Sequence, residues 1–278
     1  MKKHRLIIDV EKCENCNNCF LACKDEHVGN EWPGYAAPQA DRGQGWISIQ
    51  AKERGKFPLV DVAYLPTPCM HCDPAPCVKA GNGAVTKRPD GIVLIDPVKS
   101  KGMKELIETC PYGAITWNKG VDLPQKCTLC AHLLDKGWKE PRCVQSCPTG
   151  ALRYLFLEDA DMGKLITEER LEVYRGAADA AHSVFYKNLY RFTRCFIGGS
   201  VATRVDGREE CVEGASVTLF NGSNEQIAEG LSDPFGDFKF DNLPPHRGTY
   251  VLSIAYKSHE TRITVELTES VNAGTIFV

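Results

Sequence analysis

Eleven residues, Cys13-Glu14-Asn15-Cys16-Asn17-Asn18-Cys19-Phe20-Leu21-Ala22-Cys23, constrain this chain more than any other stretch. The spacing is C-x2-C-x2-C-x3-C. Three thiolates this close can grip one [4Fe–4S] cube, and the fourth reaches a different cube. A single tetrahedral zinc uses paired C-x2-C units set further apart, and four soft sulfurs in one run crowd it. The run predicts iron–sulfur chemistry and demands partner cysteines elsewhere.

They are present. The chain has 278 residues and 14 Cys, gathered in tight runs, which favours metal ligation over the scattered pairs of a disulfide scaffold. After the first run come Cys69-Met70-His71-Cys72, Cys77, a lone Cys110, Cys127-Thr128-Leu129-Cys130, and finally Cys143 and Cys147. Cys110-Pro111-Tyr112-Gly113-Ala114 and Cys147-Pro148-Thr149-Gly150-Ala151 form an internal repeat. If fourth ligands are exchanged, Cys13, Cys16 and Cys19 are completed by Cys147, and Cys127, Cys130 and Cys143 by Cys23.

Around the runs, Leu6 to Val10 reads as a short strand delivering the chain to Cys13. A helical turn at Phe20-Leu21-Ala22 is expected to present Cys19 and Cys23 on different sides. Residues 24–68 form an insertion rich in Gly, Pro and aromatics, too irregular for a simple hairpin. It is expected either to dock a partner or to cover the clusters. Gly91 to Pro97 reads as a strand, Leu152 to Leu157 as another, and Asp161–Glu172 as a helix. Net charge is −3 with no basic run, which gives no reason to expect nucleic acid. No stretch approaches the roughly 18–20 apolar residues of a membrane span, and the apolar stretch at Leu6 is too short for a signal peptide. The chain is read as soluble and cytoplasmic.

Residues 6–157 resemble the iron–sulfur electron-transfer subunits of the dimethyl-sulfoxide-reductase-type molybdenum enzymes. That family commonly carries four such runs and four cubes, the inner two runs nested inside the outer pair. This chain departs from it at four positions. Gly81 stands where the second run has its fourth Cys, and Ser100, Met103 and Leu106 stand where the third run has its first three. Under the exchange rule these four absences belong to one cube. Cys69, Cys72, Cys77 and Cys110 then complete another, leaving three whole [4Fe–4S] clusters. Lys12, Lys24 and Lys126 flank ligand positions and are read as potential-raising charges or solvated surface residues. His71 and His132 are read as neighbours of ligands rather than ligands.

The remainder changes character. Ala215–Phe220, Phe238–Phe240, Tyr250–Ile254 and Arg262–Leu267 alternate, with turn chemistry at Asn221-Gly222-Ser223, Asp233-Pro234-Phe235-Gly236 and Leu243-Pro244-Pro245. About seven strands fit into 196–278, an antiparallel sandwich that looks like the transthyretin or carboxypeptidase-regulatory group. No nucleophile, acid–base pair or metal constellation stands there, and Cys195 and Cys211 are expected to be free thiols.

The predicted fold is α+β: a ferredoxin-like multi-cluster domain at 1–195, with the insertion at 24–68 and a trailing linker at 158–195, followed by an all-β sandwich at 196–278. With the β tail, the resemblance narrows to the branch acting on polyhydroxylated aromatics. It implies a heterodimer with a large catalytic subunit holding molybdenum on a bis-pyranopterin guanine dinucleotide, and no active site on this chain. The alternatives are the electron-transfer subunit of another molybdenum reductase, a free-standing polyferredoxin, or zinc ribbons in a binding module.

Overall fold

The computed structural model describes residues 1–43, 45–175, 183–246 and 248–278; residues 176–182 of the expected linker lie outside them. The chain divides into two units, 1–50 with 64–189, and 51–63 with 190–278.

In the first unit the strand Lys3–Asp9 is the middle of a three-stranded sheet. It runs antiparallel to Leu152–Leu157 and parallel to Val184–Lys187. Leu6, Ile7 and Ile8 are all buried, the continuous apolar run expected of a strand covered on both faces. The helix Asp159–Glu169 supplies one cover, packing Met162 with Ile7 and Phe185. This sheet explains why the first and last cysteine runs meet. The Cys13 run leaves one end of Lys3–Asp9, and Cys147 precedes its antiparallel neighbour, with Asp9 N–H donating to Ala151 O at 2.8 Å.

The helix Asn18–His27 corrects one expectation. Its buried residues are Cys19, Cys23 and His27, spaced by four, so the two cysteines share one face rather than different sides. They are instead separated along the axis, by about 6 Å for four residues. The insertion also differs from its expected irregularity. Its second half is a hairpin, Ile47–Lys56 with Leu59–Pro68. Ile47 and Ile49, then Val60, Val62 and Tyr64, carry a strand's period-two pattern that the polar stretch Lys52-Glu53-Arg54-Gly55-Lys56 interrupts.

The second unit takes in the tip of that hairpin. Among the described residues, eight strands between Cys195 and Phe277 make two sheets of four, with Ile197, Val217, Leu219, Leu252, Ile254 and Leu267 fully buried between them. Val271–Phe277 runs parallel to Cys195–Val205. The predicted turns are present. Asp233 Oδ1 accepts the amides of Phe235 and Asp237 at 2.9 Å. Gly236 has φ +80°, where a Cβ would lie 2.4 Å from Val201 O, so only glycine fits. Cys195 and Cys211 are free: Cys211 pairs in register with Ala202, seven residues beyond Cys195 along an extended strand, too far for a disulfide.

Arg54, 3 % exposed, anchors the hairpin tip within this unit. It donates to Asp241 Oδ1 and Oδ2, both at 2.9 Å, and to Asp61, and its guanidinium lies over Phe196. Removing one partner of a buried ion network strands the others. Arg54→Met is therefore expected to cost about 3–5 kcal/mol, seen as a lower urea midpoint in far-ultraviolet circular dichroism. An unchanged midpoint would show that the network contributes nothing.

Candidate iron–sulfur centres

The C-x2-C units that begin at Cys13, Cys69 and Cys127 fold the same way. Asn15, His71 and Leu129, two residues after Cys13, Cys69 and Cys127, have φ of 56°, 46° and 53°. The left-handed turn aims their amides back at the preceding sulfur. Asn15 N–H donates to Cys13, His71 N–H to Cys69 Sγ at 3.4 Å, and Leu129 N–H to Cys127 Sγ at 3.3 Å. Asparagine tolerates this backbone; for Leu129 it is strained and persists because the loop fixes it. The C-P-x-G-A repeat is equally literal. Gly113 and Gly150 have φ of 63° and 64°, and Ala114 N–H donates to Cys110 Sγ at 3.3 Å. Amide donors aimed at sulfur stabilise the anionic form that binds iron.

The twelve cysteines fall into three groups by the charges they exert on one another. Burial raises the Cys13 thiol, and Cys147 and Cys16 raise it further; burial pushes Cys19 up to about 11, with Cys13, Cys147 and Cys16 adding to it. Burial lifts Cys23 well above its ordinary value, reinforced by Cys127 and Cys130, and lifts Cys143 similarly, reinforced by Cys130, Cys127 and Cys23. Burial takes Cys130 to about 12, with Cys127 contributing. Burial likewise takes Cys72 to about 12, with Cys69, Cys110 and Cys77 adding repulsion. These last four line one cavity of about 20 Å³. Two contacts join the groups: Cys19 acts on Cys143, and Cys69 acts on Cys127 and donates its amide there.

This donor set fits [4Fe–4S] clusters. All twelve thiols are free, and each group gathers four soft sulfurs; burial and neighbouring thiols both oppose the ionisation of Cys13, Cys19, Cys23, Cys72, Cys130 and Cys143. A cationic, thiophilic core relieves both. Among the described residues no three His, Cys, Asp or Glu side chains close on one point as ligands of a single ion. A cube asks for a wider set, one thiolate at each of four corners.

Three of the four positions that depart from the family pattern are closed, and the fourth, Met103, is half-buried. A Cβ on Gly81 would lie 2.5 Å from Val85 Cγ2 and 2.9 Å from Cys77 O. Ser100 and Leu106 are completely buried.

Both histidines beside ligands are buried. His71 Nδ1 accepts Val93 N–H at 2.9 Å, and burial holds its pKa well below the usual value, so it is neutral with its proton on Nε2. His132 Nε2 meets Glu26 Oε1 at 2.9 Å and stacks on Trp32 from the insertion. Trp46, also from the insertion, directs its backbone amide at Cys23, so this segment packs over a cysteine group. Of the flanking lysines, Lys12 is exposed, Lys24 donates to Ala40 O at 2.7 Å, and Lys126 is buried. Sequence reasoning missed Lys87, which donates to His71 O at 3.1 Å and Cys72 O at 2.8 Å. Ten residues from the nearest cysteine in sequence, it carried no local signal.

Grouped, unpaired thiols in loops and short helices around one small sheet define the class as an iron–sulfur electron carrier. A family model described as a 4Fe-4S dicluster domain matches residues 60–155, and one described as a carboxypeptidase regulatory-like domain matches residues 197–276. Over 279 aligned residues, 99% of each chain, the sequence is 45% identical to the pyrogallol hydroxytransferase small subunit of Pelobacter acidigallici. It is 30% identical over 232 residues to the arsenate respiratory reductase iron–sulfur subunit of a Shewanella species, covering 65% of this chain and 94% of that one. It is 29% identical over 172 residues to the thiosulfate reductase electron transfer subunit of Salmonella typhi, covering 61% and 83%. The chain belongs to the family of iron–sulfur electron-transfer subunits of molybdenum enzymes, with the pyrogallol hydroxytransferase small subunit as a full-length relative. Among the described residues no helix is long and apolar enough to cross a membrane.

Proposed function

We propose that this chain is the electron-transfer subunit of a molybdenum enzyme acting on polyhydroxylated aromatics. In this reading it carries three [4Fe–4S] clusters. Cys13, Cys16, Cys19 and Cys147 hold the first; Cys23, Cys127, Cys130 and Cys143 the second; Cys69, Cys72, Cys77 and Cys110 the third. The partner is a large subunit holding molybdenum on a bis-pyranopterin guanine dinucleotide, in a heterodimer. The observation that carries this reading is the similarity to the pyrogallol hydroxytransferase small subunit across both domains. The grouping of the thiols supports the ligand assignment. A cytoplasmic setting is supported by cysteines that are all unpaired.

Each cluster, when bound, takes up or releases one electron with little rearrangement. The chain's own residues hold it, direct amides at its sulfurs through Asn15, His71, Leu129 and Ala114, and exclude water with Trp46. The second group lies between the other two through the Cys19–Cys143 and Cys69–Cys127 contacts, which supports a single conducting line.

Purifying the native complex anaerobically through this chain and measuring metals tests the reading. About twelve irons per copy, four for each cube, with one molybdenum on a co-purifying large chain, is the expected result. The same iron without molybdenum or partner would favour a free polyferredoxin, and zinc in place of iron would overturn the assignment.

A further inference from the structure

We propose that Lys126 is the buried counter-charge to the electron taken up by the cluster at Cys69, Cys72, Cys77 and Cys110, and so raises that cluster's reduction potential. The inference rests on the ligand assignment above and goes beyond it.

Lys126 is 3 % exposed. Its ammonium donates to two carbonyls, Val93 O and Cys127 O, the latter at 3.0 Å, and among the described residues no carboxylate pairs with it. A buried cation without an anionic partner carries a desolvation penalty that carbonyl dipoles only partly offset. The same side chain lines the cavity enclosed by Cys69, Cys72, Cys77 and Cys110. The missing anion is therefore the thiolate-bound cluster itself.

Lys87, the other cation near this cluster, is already balanced by Asp73 at 3.7 Å. The charges found near the other two groups include carboxylates, Glu14 acting on Cys13 and Glu26 on Cys130. One electron, passed from a cluster held by Cys23, Cys127, Cys130 and Cys143, would add one negative charge beside Lys126. No bond breaks and no proton moves. A fixed positive charge in a low-dielectric setting stabilises that product more than the oxidised form.

The test is a dye-mediated redox titration at fixed pH, followed by electron paramagnetic resonance, on the complex carrying Lys126→Met or Lys126→Arg. The signal absent from a Cys110→Ala complex identifies the cluster to watch. With Lys126→Met its reduction equilibrium is expected to fall at least tenfold, 59 mV for one electron. The cluster containing Cys127 should move less and the one at Cys13 should stay put, while Lys126→Arg keeps all three. If Lys126→Met fails to assemble the watched cluster but Lys126→Arg assembles it, the charge is required and the proposal stands. Full iron with unmoved potentials would overturn it, as would an equal shift of all three, or loss of the cluster in both variants, which marks a packing role. An unsubstituted complex without about twelve irons would instead fail the underlying assignment.

Discussion

Cys143→Ala is expected to leave two clusters that no longer exchange electrons. Alanine offers neither sulfur nor oxygen, so the second cluster loses a corner ligand, and iron should fall from about twelve to about eight per chain. The position makes this loss larger than that of a ligand of either outer cluster. Cys143 is in electrostatic contact with Cys130, Cys127 and Cys23 of its own group and with Cys19 of the first. On the far side Cys127 takes an amide hydrogen bond from Cys69 of the third. Removing this cluster opens a gap in the middle of the line, whereas Cys110→Ala removes four irons from its end. Both variants should lose one resonance signal. After rapid mixing with reductant, however, Cys110→Ala should still equilibrate its two remaining clusters, while Cys143→Ala should not. Three signals in either variant would sink the ligand assignment, and fast equilibration in Cys143→Ala would sink the order.

Spacing predicts a partition of the cysteines into groups because ligand geometry is local: a C-x2-C unit has few ways to place two sulfurs on one centre. The β-sandwich was legible for a related reason, since its alternation at Ala215–Phe220 and Tyr250–Ile254 maps onto strands that bury Val217, Leu219, Leu252 and Ile254. What failed were features set by three-dimensional context. A short helical turn through Phe20-Leu21-Ala22 is expected to present Cys19 and Cys23 on different sides. A helix of ten residues puts them on one face and uses its rise to separate them. The hairpin after Trp46 was hidden by the polar run at 52–56, where Arg54 looks solvated in sequence and is buried against Asp61 and Asp241. Lys126 showed the same ambiguity: proximity to Cys127 was visible, burial was not. Charge in a sequence reads as surface, and only packing reveals an exception.

Restoring cysteine at positions 81, 100, 103 and 106 is expected to yield no fourth cluster. If the four departures were recent losses from an otherwise open site, the quadruple variant would bind about sixteen irons, four per cube. The packing argues the reverse. A side chain at Gly81 collides with Val85 and with the carbonyl of Cys77, itself an assigned ligand. Overpacking of this kind costs about 1–3 kcal/mol. Leu106 is fully buried, and truncating it to Cys opens a gap on top of the crowding elsewhere. Strain transmitted to Cys77 should also weaken the third cluster, so iron is expected to stay near twelve or drop towards about eight. The pair Gly81→Cys with Val85→Gly, which removes both Val85 atoms that a Cβ at position 81 would meet at 2.5 and 2.8 Å, separates the two effects. Relieving the collision should return the iron of the existing clusters to about twelve without adding more. A fourth signal in the quadruple variant would mean that the site remains open to a cube, and that the three-cluster complement reflects missing ligands alone rather than a repacked interior.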